Sequence, residues 1–183
     1  MKKLFFLFIG LSLCFAAMAQ KKQFQTGTKL EYAIYPNGGF LNASLILDRF
    51  STDTISLTWR VDYRSGRRAM VKNSLENGKL GYWNPPFDGE DIIIDEDKVM
   101  LCISRNSFQE LKKNLRMEFD DQAFIVKEKS ILYKLNNQIV NAVYAETNNS
   151  MTRLWILDDD FFPLILKLEG NPFNVDVELI EIH

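Results

Sequence analysis

The chain has 183 residues, with 22 Lys and Arg against 24 Asp and Glu, for a formal net charge of −2. That balance gives no general attraction to a phosphate backbone or an anionic bilayer, which argues against a nucleic-acid reader. A hydrophobic share of 46% excludes a disordered chain and supplies enough apolar surface for one domain.

The first nineteen residues read as a cleaved signal peptide. Lys2 and Lys3 form the positive start, Leu4 to Phe15 form an apolar run, and Ala17-Met18-Ala19 supplies the small residues of a cleavage site. The run is shorter than the roughly 20 apolar residues of a membrane span, and Leu13 before Cys14 fits a lipoprotein signal poorly. The expectation is a secreted or periplasmic protein, not integral to a membrane, whose residues 20–183 form one β-rich domain.

Leu30, Tyr32 and Ile34 open the strand pattern, and Leu41, Ala43, Leu45 and Leu47 continue it. From Thr54 to Tyr63 the alternation is unbroken, with Ile55, Leu57, Trp59, Val61 and Tyr63 against polar neighbours, as in a strand with one buried face. Turns are expected at Pro36-Asn37-Gly38-Gly39, at Ser51-Thr52-Asp53 and at Ser65-Gly66. Around the last of these, Arg60, Arg64, Arg67, Arg68 and Lys72 form a basic cluster. It is suited to an anionic ligand, but in a mildly acidic protein it is better read as offsetting acids on neighbouring strands.

Tyr82-Trp83-Asn84-Pro85-Pro86-Phe87-Asp88-Gly89 breaks the strand pattern. Two prolines fix the backbone, and a rigid loop that presents aromatic faces grips an apolar ligand at little cost in ordering entropy. Tyr82, Trp83, Pro85, Pro86 and Phe87 are therefore the candidate ligand-binding residues. The competing reading turns Trp83 and Phe87 inward as a plug for the end of the sheet. Six acids follow between Asp88 and Asp97, but their spacing matches no calcium loop, and they read as a solvated segment beside Ile92-Ile93-Ile94.

Further along, Cys102 lies in Val99-Met100-Leu101-Cys102-Ile103 and reads as a small buried residue. Ser107 and Glu110 fit a capping box for one short helix with Phe108, Leu111 and Leu115 on its inner face. Strand-like runs then cover Ala123 to Lys127, Ile131 to Leu135, Ile139 to Glu146, Met151 to Asp158, Pro163 to Glu169 and Asn174 to Ile182. In the last run the apolar parity switches between Leu179 and Ile180, which predicts a bulge or a bend near the end. The fold class is mainly β: a curved antiparallel sheet or incomplete barrel with one short helix.

The one histidine is His183, so a Ser-His-Asp or Cys-His mechanism has no base, and no phosphate loop or metal-ligand pair appears. The expectation is a protein that is not an enzyme, with no metal and no cofactor. Gly27-Thr28-Lys29-Leu30-Glu31-Tyr32, Cys102-Ile103-Ser104 leading into Phe108-Gln109-Glu110-Leu111-Lys112-Lys113, Leu154-Trp155-Ile156 and Phe162-Pro163-Leu164-Ile165 resemble bacterial exported proteins of the DUF3108-like kind. The resemblance implies a clamp-shaped antiparallel sheet of lipoprotein-carrier-like architecture and an exported location, and it implies no activity.

Three functions remain open on the sequence. The first is a non-enzymatic module that binds a lipid or other amphipathic small molecule. The second is an adaptor that binds another protein through a sheet edge or the Trp83–Phe87 loop, and it expects a filled interior. The third, an outer-membrane barrel, is opposed by the helix and the parity switches.

Overall fold

The computed structural model describes residues 24–84 and 89–183. The expected leader, residues 1–19, lies outside the described residues, as do Pro85, Pro86, Phe87 and Asp88.

The alternation of the first half folds as written. β1 (Lys29–Pro36), β2 (Leu41–Phe50), β3 (Thr54–Val61) and β4 (Arg64–Val71) form an antiparallel meander. Leu30 and Tyr32, Leu45 and Leu47, and Leu57 and Trp59 are buried along one face. The β3–β4 turn is Asp62-Tyr63, not Ser65-Gly66, with Val61 paired to Arg64 across it. Asp62 takes the left-handed conformation, φ 53°, which a short polar side chain tolerates and a β-branched one resists.

After β4 the chain leaves the sheet and crosses its concave face. α1 (Lys72–Asn77) is a helix that the sequence pattern did not signal, followed by β5 (Leu80–Gly81), β6 (Asp91–Ile93) and β7 (Lys98–Val99). β6 adds to β4 in parallel, and β5 and β7 pair in parallel as a separate two-stranded sheet. The Ser74 hydroxyl donates to the Lys98 carbonyl, tying α1 to β7.

α2 (Arg105–Asn114) starts at Ser104, three residues before the expected cap. Ser107 is buried inside the first turn and accepts a hydrogen bond from the Ser104 hydroxyl at 3.0 Å, so it is occupied by packing rather than capping. Phe108 and Leu111 are fully buried, and Leu115 ends the helix in the left-handed region.

The second half runs β8 (Arg116–Phe119), β9 (Gln122–Lys134), β10 (Ile139–Thr147), β11 (Arg153–Leu157), β12 (Ile165–Glu169) and β13 (Val175–Ile182). β9 is one long strand where the sequence suggested two; residues 127–130 are exposed, and beyond them Ile131 and Tyr133 pack against the core. In β13 the partner of Glu31 is Glu181 and the partner of Tyr32 is Leu179, so Ile180 is the extra residue, at the parity switch.

Eleven of the thirteen strands among the described residues form one curved antiparallel sheet ordered β6-β4-β3-β2-β1-β13-β12-β11-β10-β9-β8, with only the β4–β6 pairing parallel. The sheet does not close, and β6 and β8 are its edges. An open edge leaves backbone groups that hydrocarbon cannot satisfy, which removes the closed-barrel reading. Among the described residues no helix is long and apolar enough to cross a membrane. The curvature brings β1 over β12, where the buried Tyr32 hydroxyl donates to the Ile165 carbonyl at 2.7 Å.

The two ends of the sheet differ. At the end of the β2–β3 turn, Phe24, Phe50, Phe161 and Phe162 pack in edge-to-face and tilted pairs, with centroids 5.1–6.0 Å apart, and fill the interior. The other end, where the β1–β2 and β3–β4 turns lie, holds an open space.

Candidate functional site

β4 builds one side of that space. A strand sends alternate side chains to opposite faces, and this one separates the basic cluster accordingly. Arg67 points outward, 3.3 Å from Asp48, and Lys72 lies 3.5 Å from Asp53. Arg64, Gly66, Arg68 and Met70 share the inner face, opposite Val61, Trp59, Leu57 and Ile55 of β3.

Arg68 is only 2% exposed. Its Nη1 donates to the Arg67 carbonyl at 2.9 Å and the Glu90 carbonyl at 3.0 Å, and Nη2 lies 3.4 Å from Glu90 Oε2. The guanidinium also sits 5.7 Å from the Trp59 ring centroid and 5.8 Å from that of Tyr82, within cation–π range of both. Gly66 makes this approach feasible, because a Cβ there would fall 2.6 Å from the Glu90 carbonyl oxygen and 2.8 Å from Trp59 Nε1.

The opposing wall is the segment after β5. The Tyr82 amide donates to the Val99 carbonyl at 2.7 Å. Asp120, in the β8–β9 turn, accepts from the Gly81 amide at 2.6 Å with Oδ1 and from Trp83 Nε1 at 2.7 Å with Oδ2. One carboxylate thus fixes both the backbone and the indole. Burial pushes the Asp120 pKa up, and these two N–H donors oppose that shift. The indole lies flat against Gly81 and stacks on Phe173, with ring centroids 6.5 Å apart.

Between the walls is a cavity of about 350 Å³. Its floor is the inner face of five strands: Ile34 of β1, Ala43 and Leu45 of β2, Trp59 and Val61 of β3, Arg64 and Arg68 of β4, and Val175 and Val177 of β13. Tyr82, Trp83, Met100 and Leu101 line the other side, with Asn37 and Asn84 exposed at the rim. Among the described residues that line it there is no carboxylate, histidine or cysteine, so the arrangement offers apolar surface, positive charge and hydrogen-bond donors but no acid–base pair. Arg64 is half-buried and forms no ion pair or side-chain hydrogen bond among the described residues.

Of the candidate residues, Tyr82 and Trp83 line the cavity together, while Pro85, Pro86 and Phe87 lie outside the described residues. Trp83 is half-buried in a wall, and the plug at the far end is made of phenylalanines. Asp120 had no sequence signal beyond two adjacent aspartates, which suit the left-handed turn of a tight hairpin, with φ 50° and 57°.

The acidic segment is dispersed. Glu90 meets Arg68, Asp95 meets Lys98 at 2.6 Å, and Glu96 accepts from Asn73 at 3.0 Å. Cys102 is buried, with Sγ 3.9 Å from Met70 Sδ, and burial pushes its thiol pKa up to about 12. Compared with protein-family models and with curated proteins, the chain matches none.

Proposed function

We propose that this protein is a secreted or periplasmic, non-enzymatic binding module that holds an apolar or amphipathic small molecule in the cavity between the concave sheet and the Tyr82-Trp83 wall. The observation that carries the reading is the space itself. Well-packed interiors leave few voids larger than a water molecule, whereas about 350 Å³ lies at the small end of ligand pockets, which run roughly 300–1,000 Å³. The wall is held by specific contacts at Gly81 and Asp120, so the shape exists before a ligand arrives. An adaptor domain expects a filled interior, and the cavity favours the carrier reading over it.

The test is native mass spectrometry of the purified protein after incubation with a bacterial lipid extract. The expected result is a retained small molecule, reduced by Ala43→Leu, which pushes a larger side chain into the floor. Apo protein alone, under conditions that preserve the fold, overturns the reading.

A further inference from the structure

The charge of the cavity is not that of the molecule. The chain carries a net charge of −2, yet the fully charged side chains lining the cavity are Arg64 and Arg68, with no acid among the described residues that line it. These two arginines play different parts. Arg68 is immobilised by two backbone carbonyls and two aromatic rings, and its one carboxylate contact, to Glu90, is long at 3.4 Å. It contributes a fixed positive potential from within low-dielectric surroundings, where charge acts at greater strength than in water.

Arg64 sits at the turn end of β4, where the cavity opens. Its guanidinium has no carboxylate partner among the described residues, and it keeps a planar fork of donors suited to a carboxylate or phosphate. Polarity therefore divides the cavity across the sheet, with Arg64 and Arg68 on β4 at one side and the apolar side chains of Ile34, Leu45 and Val177 on β1, β2 and β13 at the other.

Resting on the ligand-binding reading above, we propose that the occupant is a single-chain amphiphile with an anionic head. Its tail lies against the apolar floor and its head meets Arg64. The volume of about 350 Å³ suits one acyl chain. The head-group chemistry is shared by a free fatty acid and a single-chain phospholipid.

Dodecanoate, dodecyl phosphate and dodecanol, each below its micelle concentration, are titrated into the purified protein and followed by tryptophan fluorescence. Both anions are expected to bind about tenfold or more tightly than the alcohol, the loss that accompanies removal of one charge-assisted hydrogen bond. Arg64→Gln should remove most of that preference, leaving the part due to Arg68, and leave dodecanol affinity unchanged, and Arg64→Lys should restore part of it. Arg60→Gln, on the outer face of β3, should change nothing. The tighter of the two anions identifies the head group as carboxylate or phosphate. Equal binding of anions and alcohol by the wild type overturns the anionic head, and a preference undiminished by Arg64→Gln overturns its contact with Arg64; either result leaves the carrier reading intact. Failure of all three probes to bind overturns both.

Discussion

Gly81→Ala tests how the Trp83 wall is held. A Cβ at residue 81 would lie 2.7 Å from Trp83 Cζ2 and closer still to Nε1 and Cε2, so the indole must move away. Moving it breaks the 2.7 Å bond to Asp120 and the stack on Phe173. A hydrogen bond to a charged group contributes about 1.5–3 kcal/mol, so the variant should lose about 2 kcal/mol. In a domain of this size that is a fall in Tm of about 4–8 °C. Tryptophan emission should shift to the red as the indole enters water. The decisive measurement is the double-mutant cycle with Trp83→Ala. Without the indole the three atoms nearest the new methyl group are gone, and Gly81→Ala should be neutral or slightly stabilising through the unfolded chain. If Gly81→Ala still costs about 2 kcal/mol in that background, the backbone rather than the indole requires glycine, and the reasoning fails.

Three more outcomes follow from other sites. Cys102, with its thiol pKa pushed up to about 12 by burial, should resist a thiol reagent at pH 8 in the folded protein and react fully in denaturant; rapid labelling of the native state refutes this. Hydrogen bonds from Ser150 and Tyr144, with Lys127 beside them, lower the Glu146 carboxyl from 4.5 to about 2, so its contribution is present above pH 4.5 and is lost as the pH falls toward 2. The Tm gap between wild type and Glu146→Gln should therefore shrink on acidification, and a gap independent of pH contradicts it. Arg105 donates to the Phe161 carbonyl at 2.9 Å, the Thr52 carbonyl at 2.9 Å and Glu76 at 2.6 Å, joining α2 to three other segments. Denaturant titration of Arg105→Ala should show a loss of about 2 kcal/mol or more, only partly recovered by Arg105→Lys, whose ammonium cannot span the same acceptors.

The sequence was most legible where burial was one-sided. β1, β2 and β3 alternate because one face meets the core and the other meets water, and the bulge at Ile180 was visible because it reverses that parity. β4 was illegible for the complementary reason. Its inner positions are Arg64, Gly66 and Arg68, which border a cavity rather than fill a core, so no apolar period marks the strand and its arginines read as a turn. The cluster was weighed as a unit, although pairing with β3 sends Arg67 outward and Arg68 inward. β9 reads as two strands because residues 127–130, around Glu128-Lys129-Ser130, are exposed on both faces and interrupt the apolar alternation. Tyr82 and Trp83 were conspicuous as aromatics beside a proline pair. Asp120, which holds the second of them, lies 37 residues away and becomes a neighbour only in the fold.

Near the middle of the sheet, β1 lies against β13, and Lys29 and His183 exchange backbone hydrogen bonds at 3.0 Å and 2.8 Å. The junction between the two halves is thus the contact between the most distant parts of the described chain, and such pairings make folding slow. The cavity floor straddles this junction, with Ile34 on one side and Val175 and Val177 on the other. If the cavity holds the proposed ligand, occupancy would report that the halves have joined, and the guest would act as a clasp, favouring the joined state by mass action.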